Sequence, residues 1–574
     1  MRQPNLQRFV LLAILGGALV FVLAQQSSLV LVYAKGVTQT RRLSLIGRLH
    51  DPQGEPISGA SVLVMLDGTA TDQKARSQTD GTFVVDVPSD AASDVETLSI
   101  EISRPHFRAL AWEAGSDQID TINQGNSLRL PDIEMKRRVT PAFWVATITF
   151  IVILVIIALE LLNNAMAALL GVAVIMGVSL VGGAVDPAFF IFDFDGALEY
   201  VNFEVIFLVM GMMIVIGVVE ETGIFQWLAY QSYRLSRGRG WLLVTILMVI
   251  TSVASALLDN VTTMLLMTPI TIHIAAALAI SPLSLLIPQV LASNVGGITT
   301  LIGTPTNILI GSFAGLSFSD FLTNLTPGAL LAQAALTVYV IIHYRKQLLV
   351  RDEGLSKDML EKLAERGQIT KPIELRKAAI VFGMMLVFFA LGEQIHLVPA
   401  VTAIIGAVAL VLWATPTIDK MLKVVDWTTL MFFIALFIVV GAIQEVGLVG
   451  MIADAISQLV AGNLVVAVLA VVWSAAFLSG VIANIPFTAA MLPVVSFLTR
   501  TIPGASSQVL FYALSIGAAM GGNSSLIGAS ANVVTAGMAA QAGYRITYVE
   551  FLRIGMPAMI ITVAVGTLWL FIRF

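Results

Sequence analysis

Two stretches of this chain, 224 positions apart, carry the same polar interruption in the same apolar setting: Asn260 within residues 255–269 and Asn484 within residues 479–493. The same offset pairs Gly217 with Gly441, Glu221 with Glu445, Gly223 with Gly447 and Pro269 with Pro493. One residue of slippage later, the pattern Gly296-Gly297, Gly303, Asn307 recurs as Gly521-Gly522, Gly528, Asn532. The chain is therefore internally duplicated. Backbone that leaves the helix at membrane depth survives only where protein buries it or water reaches it. Apolar segments broken by Gly, Pro and Asn at matching places in two halves point to the binding site of a transporter.

Composition supports a bilayer setting. Of 574 residues, 57% are hydrophobic and 12% charged, where soluble domains carry about 25% charged residues. The mean hydropathy is +0.89, with repeated apolar runs near the length of a membrane span. The net charge of −5 comes with no basic stripe, which argues against nucleic acid as a partner. With no cysteine, disulfides, thiol nucleophiles and thiolate-held metals are excluded. The five histidines show no metal-ligand spacing. Nothing in the sequence pairs a nucleophile with a base, so an enzyme is not expected, nor any cofactor beyond a coupling ion.

The expected organisation has five parts. Residues 1–35 read as a cleaved signal peptide or as a retained membrane anchor, with the anchor preferred. Residues 40–137 read as an exported all-β sandwich, with alternating runs at 43–48, 61–65, 82–87 and 98–102 separated by turn-forming clusters at 51–54 and 79–81. Residues 140–346 form a first transporter repeat, 347–375 a cytoplasmic loop and 376–574 a second repeat. The expected fold class is thus a polytopic α-helical membrane protein, an inverted repeat with paired re-entrant hairpins and broken helices, and an appended exported sandwich. Arg234, Arg237 and Arg239 mark a cytoplasmic loop by the positive-inside rule. Their counterparts Gln458, Ala461 and Asn463 are uncharged, as inversion of the second copy requires. This predicts a multi-pass protein of the plasma (inner) membrane with the sandwich outside.

The interruptions supply the chemistry. Residues 241–279 and 464–499 are expected to form two half-spans each, closing at Pro269 and Pro493, with Asn260 and Asn484 at the tips. Carbonyls and amide oxygens at such tips suit Na⁺, and helix N-termini suit an anion. Asp259 is the sharpest residue, because an unpaired carboxylate at that depth is expensive. It either binds a cation or proton, or caps the following helix. Its counterpart is Ala483, so a carboxylate-dependent site exists in one half. Thr262, Thr263 and Thr488 serve either the site or their own helices. The broken helices add uncharged polar groups at Asn294, Thr299, Thr300, Asn307, Asn523, Ser524, Ser525 and Asn532. No Lys or Arg lies between positions 241 and 341 or between 462 and 498. An anion would need dipoles and a co-bound cation there, which makes Na⁺ or H⁺ coupling the expectation. Glu220, Glu221 and Glu445 are expected at the interface.

Residues 258–269, 292–307, 425–433 and 484–493 resemble the ArsB/melanosomal P-protein branch of the ion transporter superfamily. That superfamily includes the citrate-transporter-like domain, divalent anion:sodium symporters and NhaD sodium/proton antiporters. The resemblance covers about 141–574 and implies a homodimeric elevator-type carrier. Substrate-site candidates are Asn260, Thr299, Thr300, Thr304, Asn307, Asn484, Thr488, Ser524, Ser525 and Asn532. Ion-coupling candidates are Asp259, Asn260, Asn294, Gly297, Asn484 and Asn523. Two departures stand out: Ala483-Asn484 replaces the Asp-Asn frequent in this branch, and the symporters' Ser-Asn-Thr tip is absent. Residues 47–61 and 79–83 resemble the carboxypeptidase regulatory-like domain, which implies a non-catalytic accessory sandwich. The functional expectation is a carrier of a small anion, carboxylate or oxyanion, coupled to Na⁺ or H⁺. The alternatives are a Na⁺/H⁺ antiporter without organic substrate and a membrane-anchored sensor using the sandwich.

Overall fold

The computed structural model describes residues 42–574 except 53, 55, 89–94, 125, 160, 279, 349–367 and 415–417. The expected leader or anchor, and most of the expected 347–375 loop, lie outside the described residues. The chain divides into two compact units, Met1–Arg137 and Arg138–Phe574.

Among the described residues the first unit holds seven strands: β1 Arg42–His50, β2 Ser61–Leu66, β3 Thr69–Arg76, β4 Thr82–Pro88, β5 Leu98–Ser103, β6 Leu110–Glu113 and β7 Leu128–Glu134. They make two sheets, ordered β4-β1-β7 and β3-β2-β5-β6. Alternation along β2 buries Val62, Val64 and Leu66. These meet Leu45, Phe83, Ile100 and Ile102 in one core, as facing sheets with period-2 patterning should. The unit is not purely β, because helix α1 (Ser116–Asn123) precedes β7. Its eight residues make about two turns, too short a run for a helical period to stand out between strands.

The second unit is helical. Its first half contains α2 Pro141–Ala158, α3 Asn164–Gly177, α4 Phe203–Glu220, α5 Ile224–Ser236, α6 Gly240–Leu257, α7 Asn260–Ala277, α8 Leu283–Gly297, α9 Pro305–Ala314, α10 Phe318–Asn324 and α11 Thr326–His343. The second contains α12 Pro372–Leu391, α13 Pro399–Ala414, α14 Trp427–Glu445, α15 Leu448–Val460, α16 Leu464–Ser479, α17 Asn484–Thr501, α18 Val509–Gly521, α19 Ser530–Gln541 and α20 Tyr548–Arg573. Among the described residues, seven helices are long and apolar enough to cross a membrane; the protein is a multi-pass integral membrane protein.

The duplication extends to single dihedral angles. Gly223 (φ 80°) and Gly447 (φ 93°) cap α5 and α15 in the left-handed region. The same two helices end at left-handed Arg237 (φ 50°) and Ala461 (φ 51°). One detail departs from the expected half-spans. Arms α6 and α7 have 18 residues each, and α16 and α17 have 16 and 18. At about 1.5 Å rise per residue an 18-residue arm is about 27 Å long. Pro269 and Pro493 sit inside α7 and α17 rather than closing them, because tertiary packing can absorb a missing backbone donor within a membrane helix.

Candidate functional site

The breaks in α8–α9 and α18–α19 are built alike. Each first helix ends on glycine, and the loop folds back so tightly that a side chain at these glycines would crowd the backbone opposite. A Cβ on Gly297 would lie 2.9 Å from the Gly303 carbonyl, and one on Gly522 would lie 3.1 Å from that of Gly528. A single asparagine closes each loop. Asn307 Nδ2 donates to the carbonyls of Ile298 (3.1 Å) and Thr300 (2.8 Å). Asn532 Nδ2 donates to those of Gly522 and Ser525 (2.8 Å each). Thr300 and Ser525 donate to the Ala256 and Gly480 carbonyls of their own hairpins. Ser255 and Ser479 donate to the Ser293 and Ala518 carbonyls, at 2.9 and 2.7 Å. Carbonyls left free by the broken helix are thus paired by side chains, as buried backbone groups must be.

Across the halves the pattern is asymmetric. Asn294 accepts from Asn260 Nδ2 at 2.9 Å, and its own Nδ2 donates to Asn523 Oδ1 (2.9 Å) and Asn532 Oδ1 (3.1 Å). The first hairpin tip, α8 and the second broken loop are thereby joined by four amides, each at most 6% exposed. In the other direction Ser515 donates to Asn307 Oδ1 at 2.6 Å.

Beside this network lies a cavity of about 760 Å³. Both hairpin tips line it, through Asp259 and Thr262 and through Ala483 and Ile485; so do both broken loops, through Ile302 and Pro305 and through Ile527 and Ser530. Three carboxylates face it: Glu220, Asp259 and Asp426. No Lys, Arg or His lines it among the described residues. Asp259 caps α7, accepting from Thr262 N at 2.9 Å and from the Thr262 hydroxyl at 2.5 Å. Asp426 caps α14 in the same way, accepting from Thr428 N (3.0 Å), Thr429 N (3.2 Å) and the Thr429 hydroxyl (2.6 Å). Each cap directs a carboxylate and a helix N-terminus toward one chamber.

Most of the expected site residues fall into three groups. Asp259 lines the cavity. Asn260, Asn294, Asn523 and Asn532 form the amide network, while Gly297, Thr299, Thr300, Thr304, Asn307, Ser524 and Ser525 belong to the folded-back loops. Thr299 donates to Gly296 O at 2.7 Å, and Thr304 pairs with Thr306 at 2.7 Å. Thr488 bonds back to the Asn484 carbonyl at 2.7 Å, inside its own helix. Asn484 is 5% exposed and lies between cavity-lining Ala483 and Ile485. Its side-chain amide makes no hydrogen bond among the described residues.

Glu221 and Glu445 each hold a partner: Lys371 Nζ lies 2.8 Å from Glu221, and Tyr200 donates to Glu445 at 2.6 Å. Glu220, expected at the interface, stands exposed at the end of α4 and also lines the cavity. Asp426 is a cavity residue that the sequence reading misses. The available signal was a Thr three positions on, a spacing it shares with Asp259 and Thr262.

A family model described as "Citrate transporter" matches residues 152–517. An uncharacterized transporter of Mycobacterium bovis is 35% identical over 440 residues, covering 75% of this chain and 98% of its own. The human P protein is 32% identical over 506 residues, and the match spans 75% of this chain and 59% of that protein. Among solved structures, the YdaH transporter of Alcanivorax borkumensis superposes with a TM-score of 0.50 at 12% identity, covering 72% of this chain and 98% of its own. That last likeness concerns the fold alone. With a family model spanning most of the helical unit and a mycobacterial relative matched over nearly its full length, this chain belongs to the citrate transporter family and is a membrane transporter.

Proposed function

We propose that the chain is a secondary active carrier that moves a small anion, a carboxylate or an oxyanion, coupled to Na⁺ or H⁺. The observation that carries this is the convergence of both hairpin tips and both broken loops on one cavity holding Asp259. In this reading Asp259 takes the coupling cation or proton. The Asn484 amide, unpartnered at the opposite tip, and the helix N-termini around the chamber receive the anion. No Lys or Arg lines the cavity among the described residues, so the co-bound cation supplies the charge that an anion needs. The two halves act as an inverted repeat, with the hairpin-bearing elements moving elevator-fashion against the rest in a homodimer of the plasma (inner) membrane. The β unit, similar in motif to carboxypeptidase regulatory-like domains, is an external accessory.

One observation favours a second reading, Na⁺/H⁺ exchange without an organic substrate. Three carboxylates face the cavity, with no Lys, Arg or His among the described lining residues to balance them, which suits cations as the sole cargo. Proteoliposomes separate the two. Proton movement driven by an imposed Na⁺ gradient, with only impermeant anions present, would establish the antiporter and overturn the anion carrier. Flux that starts only on adding a carboxylate or oxyanion would establish the carrier.

A further inference from the structure

A second cavity of about 400 Å³ lies in the same helical unit. Its lining includes Glu204, Ser312, Ser317, Glu393 and His396, together with Leu208, Leu301 and Ile308. Two helices run from one cavity to the other. On α4, Glu204 and Leu208 face the second cavity, whereas Val209, Met212, Ile216 and Glu220 face the first. Glu204 and Glu220 are about 24 Å apart along the axis at the usual helical rise, so the cavities occupy opposite ends of the span. On α9, Pro305 faces the first cavity, and Gly311 and Ser312 face the second. The broken loop divides likewise, with Leu301 on one side and Ile302 on the other. Ile308 lines both.

What lies between them is apolar and tightly packed. Leu208, Val209, Leu301, Ile302 and Ile308 are each no more than 6% exposed. Gly311 makes room for this layer, since a Cβ there would come within 2.2 Å of Leu301 Cδ1. The polar groups stand on either side of it. In the second cavity Ser312 donates to Glu204 (3.3 Å) and accepts from Asn202 (2.8 Å). A layer of aliphatic side chains one residue thick excludes water, and with it any hydrated ion.

We propose that the two cavities are the opposite vestibules of a single translocation path, and that Ile308, with Leu208 and Leu301, is the dry septum that keeps them from joining. The second cavity is then the far-side entry point for small hydrated cations, with Glu204 at its polar wall. Ile308 determines coupling: an ion crosses only when the septum rearranges with its cargo. This rests on the chain being a transporter, and it holds for either choice of cargo.

The test uses the full chain, which has no cysteine of its own, in vesicles of one orientation. Ser312→Cys and Thr428→Cys, one for each cavity, are challenged with a membrane-impermeant thiol reagent from each face. Labelling of the two from opposite faces is expected, and labelling of both from the same face overturns the proposal. In proteoliposomes carrying a proton gradient and no cargo, Ile308→Ala is expected to dissipate the gradient several-fold faster than the unaltered protein. Leu208→Ala repeats the measurement at the septum's other wall, in case the first variant does not fold. A proton leak equal to that of the unaltered protein in the folded variants overturns the septum. A carrier inactive on every cargo tried would fail the functional reading yet leave both of these readouts intact.

Discussion

The ring of Tyr200 rests directly on Gly441: a Cβ at that glycine would lie 2.3 Å from Tyr200 Cγ. The repeat-equivalent pair is reciprocal. Val424, which stands where Tyr200 stands in the other copy, rests on Gly217, and a Cβ there would lie 2.1 Å from Val424 Cγ1. Each half thus presents a glycine on its long helix to the segment that leads into the long helix of the other half. Two equivalent surfaces meeting this way are self-complementary, so the duplicated sequence has become a paired interface. The pairs differ in one respect: Tyr200 also donates to Glu445, while Val424 and Gly217 line the cavity.

This interface has no slack. Gly441→Ala is expected to cost about 1–3 kcal/mol, the usual cost of overpacking a core, and Gly217→Ala a similar amount. Tyr200→Phe keeps the packing and loses one hydrogen bond, so it should cost less than either. Thermal unfolding in detergent compares the three, and an alanine tolerated at both glycines would refute the close approach.

Asp259→Asn separates the capping role from the charge. Asparagine caps helices as well as aspartate does, so the variant should fold with near-normal stability and lose its dependence on the coupling ion. Asp426→Asn is the matched control on the other carboxylate cap. Ion dependence unchanged in Asp259→Asn would remove this residue from the mechanism.

The two kinds of buried asparagine should behave differently. Asn294→Ala takes a hydrogen-bond partner from each of Asn260, Asn523 and Asn532, at about 1–3 kcal/mol for each stranded group. The combined loss is therefore expected to exceed about 3 kcal/mol. Asn484→Ala strands no hydrogen-bonding group among the described residues, so it should stay folded and fail in transport. Chemical denaturation of both variants makes the comparison, and equal loss of stability would show that Asn484 is structural as well.

The Lys371–Glu221 pair joins the end of α4 to the start of the second half, with Thr370 N donating to the Thr222 carbonyl at 2.9 Å. Its hydrogen bond to Glu221 holds Lys371 above the usual lysine value of 10.5. A lysine raised on folding contributes stability fully below its unfolded value and loses it as pH rises through the folded one. Lys371 is 40% exposed, so Lys371→Met should cost under about 1 kcal/mol at neutral pH. That difference should fade as pH rises above 10.5 and through the folded value, which denaturation across that range checks.

Removing residues 40–137 takes away a self-contained unit with its own core. The match to the citrate transporter family begins at residue 152. Transport should therefore persist in the truncated chain, and its abolition with the remainder still folded would favour a sensing role for the β unit.

The amino-acid sequence by itself determined the duplication and the places where helices break. These are local facts: glycine where backbones touch, as at Gly297 and Gly303, and an N-capping residue at Asp259 after an apolar run. The strands at 61–65 and 98–102 were legible for the same reason, since their alternation records which face is buried. Helix α1, the length of the hairpin arms and the continuation past Pro269 were not legible, because packing partners far along the chain decide them. Only the tertiary structure decided which polar groups meet. Asn294 has Ala519 as its counterpart, and nothing near it in sequence says that it joins Asn260 to Asn523 and Asn532. Glu220 reads as interfacial from its place at a helix end, and only the packing of α4 shows that it also lines the cavity. Periodicity reports that a helix has a polar side but not what that side faces. That depends on the rotation of each helix against its neighbours, which is settled by steric fits such as Tyr200 on Gly441 and Leu301 on Gly311.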